Sequence, residues 1–94
     1  MNPDHQVPDG TPMVTLSCGE AVFNTDPRWA AECMARHRHV MTLRALGLDA
    51  RRTYLLNVAQ SEGAESAKRL KDAFAKDWEE RRAAERAEKE AMKP

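Results

Sequence analysis

The chain is poor in the residues that build a large core or a reactive centre. Of its 94 residues, two are cysteine, four are glycine and only five are Phe, Trp or Tyr. No apolar run approaches the roughly 18 to 20 residues that a membrane-spanning helix needs, so no membrane partner is expected. Residues 1–10 lack a basic segment followed by an apolar one, which speaks against a secretory leader and for a cytoplasmic chain. Cys18 and Cys33 are too far apart for the close Cys pairs of structural zinc sites and redox motifs. The glycines form no phosphate-cradling loop, and there is no serine nucleophile elbow and no run of metal-binding carboxylates. Neither a metal nor an organic cofactor is expected. Cys33 and His37 lie one helical turn apart, but nothing in the sequence supplies the third, orienting group that nucleophilic catalysis requires. The expectation is a protein that is not an enzyme.

What is present suffices for one small domain. Hydrophobic residues make up 41% of the chain, yet fifteen of them are alanine, so the core is thin. The net charge of zero hides an uneven layout. Residues 1–27 carry Asp4, Asp9, Glu20 and Asp26 and no Lys or Arg. Residues 28–52 carry Arg28, Arg36, Arg38, Arg44, Arg51 and Arg52 against Glu32 and Asp49, and the remainder balances.

The pattern predicts a mainly α chain: a small three-helix domain, a short N-terminal β-hairpin and a long charged C-terminal helix. Residues 1–12, rich in proline and almost free of apolar side chains, cannot repay the entropy of ordering and read as a disordered tail. Residues 13–80 read as a single helical domain. Within it, Cys18-Gly19 reads as a two-residue hairpin loop that sets Leu16 opposite Ala21 and Val14 opposite Phe23. Thr25-Asp26-Pro27 is a helix start, because an Asp oxygen can accept from the free amides of the first turn and Pro suits the first helical position. Gly47 stops that helix, and Asp49 reads as the cap of a second whose apolar positions are Tyr54, Leu55, Val58 and Ala59. Ser61-Glu62-Gly63 breaks the second helix. A third starts near Ala64, with Ala67, Leu70, Phe74 and Trp78 on its stripe. Trp29, Tyr54 and Trp78 are expected to meet inside the three-helix cluster. Residues 81–94, alanine and charge with one large apolar residue, Met92, read as a helical extension or a frayed tail.

The candidate binding surface is Arg36, His37, Arg38 and His39 with Arg44, Arg51 and Arg52. Arg36 and Arg38 point about 200° apart on a helix, so the segment does not form one narrow stripe. Three readings stay open for it: solvated flanks partly paired with acids of the third helix, contact with a partner protein, and a weak DNA or RNA interface using the Arg-rich middle segment. Affinity for nucleic acid comes from neutralising phosphates, and a chain with a basic patch but no net basic charge is a poor instance of that class. A structural role by self-association, a homodimer through the C-terminal helix, is a further alternative.

The residues Trp29-x3-Cys33-x-Ala35-Arg36, then Arg52-x-Tyr54-Leu55-x2-Val58, then Gly63 and Leu70 through Trp78, resemble a family of short uncharacterised proteins of bacteriophages and prophages of proteobacteria. The resemblance covers about residues 14–80 and carries no catalytic signature and no functional residues to transfer. It implies a small phage protein that binds and blocks a host protein complex inside the host cell, including anti-defence inhibitors of the anti-CRISPR kind.

Overall fold

Asp26 opens the first helix as its neighbours predict. The backbone N–H of Arg28 donates to Asp26 Oδ1 at 2.8 Å, and Pro27 takes the first helical position, where no N–H is needed. The computed structural model describes residues 10–93. Its elements in chain order are β1 (Met13–Thr15), β2 (Ala21–Phe23), α1 (Pro27–Arg44), α2 (Leu48–Glu62) and α3 (Ala64–Ala91). The chain is thus mainly helical, with a short antiparallel hairpin before the helices and a long third helix. No helix among the described residues is long and apolar enough to cross a membrane. The tail expected over residues 1–12 lies, up to residue 9, outside the described residues. Pro12 is engaged, its carbonyl accepting from the Asn24 N–H at 3.0 Å.

The described chain divides into two compact units, one ending at Ala35 and the other starting at Arg36. In the first, the hairpin register differs by one residue from the sequence expectation. Met13 pairs with Phe23, Val14 with Val22 and Thr15 with Ala21. The loop holds three residues rather than two: the Leu16 N–H donates to the Glu20 carbonyl and the Gly19 N–H to the Leu16 carbonyl, both at 2.8 Å. Gly19 sits at φ +95°, the left-handed residue that such a three-residue loop requires. A one-residue slip turns every side chain to the other face. Val22 and Leu16 are therefore the buried side chains of the hairpin, while Ala21 and Phe23, expected inward, are exposed. The loop is tied to α1 by the Ser17 N–H, which donates to the Glu32 carboxylate at 2.7 Å. Arg28 adds ion pairs to Glu20 and Asp26 at 2.8 and 2.9 Å.

The second unit is built on Val40 and Leu43 of α1, Val58 of α2 and Leu70 of α3, with Leu46, Tyr54, Leu55, Ala67, Ala73 and Phe74 packed partly buried against them. Gly63 ends α2 and begins α3 in a single residue at φ +98°, ψ 159°, a conformation closed to side chains with a Cβ. Two other expectations are corrected here. Asp49 is not the cap of α2: Gly47 holds that position with no side-chain hydrogen bond, and Asp49 lies in the first turn, where its charge still suits the positive end of the helix. Trp78 does not join Tyr54 in the core, and Trp29, half-buried in the first unit, is no part of that cluster. Successive steps of four turn the stripe by about 40° each, so Trp78 lies about 80° round from Leu70. The core side of α3 is completed by Ala67 and Ala73 instead. Residues 82–91 are exposed throughout.

Replacing Leu70 by Ala should cost about 2–5 kcal/mol, the range for a fully enclosed leucine that leaves a cavity. Truncation after Arg82 should leave the urea midpoint of the remaining chain nearly unchanged. Equilibrium urea denaturation followed by helical ellipticity measures both, and equal midpoints for Leu70→Ala and the parent would show the core to be misplaced.

Candidate functional site

The residues of the Arg-rich middle segment go to separate places. Arg36 is half-buried on α1, while His37 and Arg38 are exposed beside it. His39 faces α2: its Nδ1 is 2.5 Å from the Tyr54 hydroxyl and its Nε2 is 2.9 Å from a Glu62 carboxylate oxygen. An ionised carboxylate can only accept, so in the neutral ring Nε2–H donates to Glu62 and Nδ1 accepts from the Tyr54 O–H. The Tyr54 and His39 rings meet edge to face at 5.6 Å. This chain of three side chains fastens α1 to α2.

Arg44 fastens α1 to α3. Its Nε donates to Asp77 Oδ2 at 3.0 Å, and its Nη2 donates to Oδ1. Arg81, one turn further along α3, also donates from Nε to Asp77 Oδ2 at 3.0 Å. The Arg44 hydrogen bonds hold the Asp77 carboxyl below its ordinary value of 3.8, with the nearby charges of both arginines adding to the effect and partial burial opposing it. Asp77 in turn raises the pKa of Arg44. The reading of this segment as cations paired with acids of the third helix holds for Arg44.

Arg51 and Arg52 are the members of the set that line a concave surface. They stand on α2 with Leu48, Leu55 and Leu56, and across from them α3 contributes Lys71, Phe74, Ala75, Trp78 and Glu79. Both helices place these residues at steps of three and four, the spacing of a single helix face. The groove between them has a volume of about 790 Å³ and is open to solvent. Leu56 is 64% exposed, Leu48 59% and Trp78 37%. The Arg51 Nε donates to the Leu46 carbonyl at 2.9 Å, which holds its guanidinium over the Phe74 and Trp78 rings at 5.2 and 5.4 Å from their centroids. Arg81 lies 5.4 Å from the centroid of the same Trp78 ring. The guanidiniums thus fix the indole from two residues while leaving part of it in water.

The sequence pattern assigns Phe74 and Trp78 to the core and leaves Leu48 and Leu56 without a role. A signal was available. Leu56 lies two positions from both Tyr54 and Val58, about 200° round the helix from each, so it cannot share their buried stripe. Two large leucines off the core face of one short helix mark an exposed apolar surface. Among the described residues, no group of three or more His, Cys, Asp or Glu side chains is placed to hold a metal ion.

Because the folded-state pKa of Asp77 is depressed, its stabilisation is fully present above about pH 4, the ordinary carboxylate value, and is lost as the pH falls through the lowered value. Asp77→Asn should therefore lower the melting temperature at neutral pH and shrink the loss of stability on acidification. Thermal melts of both proteins across that pH range measure this, and parallel curves would dispose of the assignment. Comparison of the chain with protein-family models, with curated proteins and with solved structures gives no match in any of the three.

Proposed function

We propose that the chain is a non-enzymatic binding protein that acts by occupying a surface of a larger partner protein. The observation that carries this reading is the open apolar groove between α2 and α3, where Leu48, Leu56 and Trp78 stand in water at helical spacing. Isolated exposed leucines are ordinary on small proteins. A contiguous set across two helices, rimmed by charge, is the usual form of a protein-docking surface. The likeness to short phage and prophage proteins supplies the setting: a host complex as the partner, blocked or modulated on contact, with a defence machine of the CRISPR-Cas kind among the targets that fit.

The alternatives receive less support. For nucleic acid, Arg44 is committed to Asp77 and His39 to Tyr54 and Glu62, which reduces the cations free to reach phosphates. For self-association through the end of α3, the exposed turns after Arg82 offer alanine and balanced charge with Met92 as their large apolar side chain.

Leu56→Glu places a charge on the groove without touching the buried cluster, so its melting temperature should equal that of the parent. Quantitative affinity capture from proteobacterial lysate should return a protein that the parent retains and that falls about tenfold or more with Leu56→Glu, a loss of roughly 1.4 kcal/mol or more. The same retained set for parent and variant, or no retained protein, would overturn the reading.

A further inference from the structure

The chemistry of the groove narrows its occupant further than its shape does. Its floor is apolar and its rim is cationic. Arg51, Arg52 and Lys71 stand against the single acid Glu79. Among the described residues, the Arg52 and Lys71 side chains make no ion pair and no hydrogen bond, and Arg51 meets no carboxylate, its Nε being spent on a carbonyl and its planar face on two rings. Asp77, next to Trp78 on α3, is already shared between Arg44 and Arg81. Positive charge is left uncompensated along the groove.

We propose, resting on the role of the groove as a docking surface, that it takes an amphipathic helix of net negative charge from a partner protein. Its apolar side chains would lie on Leu48, Leu56, Phe74 and Trp78, and its carboxylates would reach Arg51, Arg52 and Lys71. The length agrees. From Leu48 to Leu56 the groove wall runs about 12 Å, a little over two helical turns, which matches anchors at positions i, i+4 and i+7 of a docked helix. Electrostatics selects this occupant over a second copy of the chain, because face-to-face pairing of two grooves would set three cations against three. A nucleic-acid strand would need an aromatic face free for stacking, and the Trp78 ring already has the guanidiniums of Arg51 and Arg81 against it.

The test is selection from a displayed library of helical peptides of about 16 residues, enriched on the parent protein and depleted on Leu56→Glu. The expected consensus carries net negative charge and apolar residues at i, i+3 or i+4, and i+7. Fluorescence anisotropy with the leading peptide should show binding that weakens about tenfold or more in Leu56→Glu and in the double variant Arg52→Glu, Lys71→Glu. It should also weaken as salt rises from about 50 to about 200 mM. A neutral or basic consensus, or no enrichment, overturns the proposal. So does sedimentation showing a dimer that Leu56→Glu dissociates, which would make a second copy the occupant, or an oligothymidine that binds the parent and not Leu56→Glu. The docking role is judged separately by capture. A captured partner that Leu56→Glu releases, together with failure of the acidic consensus, overturns the helix chemistry alone; failure of that consensus with no protein captured by the parent, or with capture that Leu56→Glu leaves unchanged, overturns both.

Discussion

Leu43 at 0% exposure and Leu70 at 1% are the side chains that water does not reach, and the second unit depends on the joint they form with Val40 and Val58. Four aliphatic residues contribute on the order of 1.5–3 kcal/mol each when fully enclosed, an amount that the ordering of three helices readily consumes. Polar fastenings therefore matter more here than in a larger domain. Tyr54, His39 and Glu62 link α1 to α2, and Arg44 with Asp77 links α1 to α3. These contacts lie at the margin of the apolar joint and fix the direction in which the helices leave it. Exposed pairs add little free energy, but a geometry held from two sides leaves few alternatives.

The same economy explains the groove. A core this small is satisfied by one stripe of α2 and one of α3, and Ala67 and Ala73 suffice beside Leu70. Leu48, Leu56 and Trp78 are left over. Arg51 illustrates how the surplus is managed: its stem and planar head cover parts of Phe74 and Trp78, and an oxygen from Leu46 sets its angle. The segment that looked like a basic patch is in this sense divided labour. Arg44 is structural, Arg51 shields and aligns an aromatic pair, and Arg52 stands in solvent.

Local signals in the sequence transferred well to the structure. Asp26-Pro27 starts α1, Gly63 separates α2 from α3, and the apolar spacing places Val58 and Leu70 inside, because caps, left-handed positions and periodicity act over a few residues. Signals that depend on distant neighbours transferred poorly. In the hairpin, two- and three-residue loops differ by one position, and the choice depends on which face is covered; Gly19 serves either loop. Trp78 looked like core because it continues a stripe of four-residue steps, yet that stripe drifts away from a core with few members. The destinations of Arg44 and His39 needed the positions of Asp77 and Glu62, residues 33 and 23 places along the chain.

Gly63 carries a consequence for how this chain can vary. With a single residue joining α2 to α3, the rotational phase of one helix against the other is locked by chain length. One residue inserted within α3 ahead of Leu70 would swing the rest of that helix by about 100°, carrying Leu70 out of its socket and the indole away from the groove. Substitutions along either helix leave that phase intact. Descendants of this sequence should thus vary at the exposed positions of both helices while keeping Gly63 and the spacing between Val58 and Leu70 unchanged.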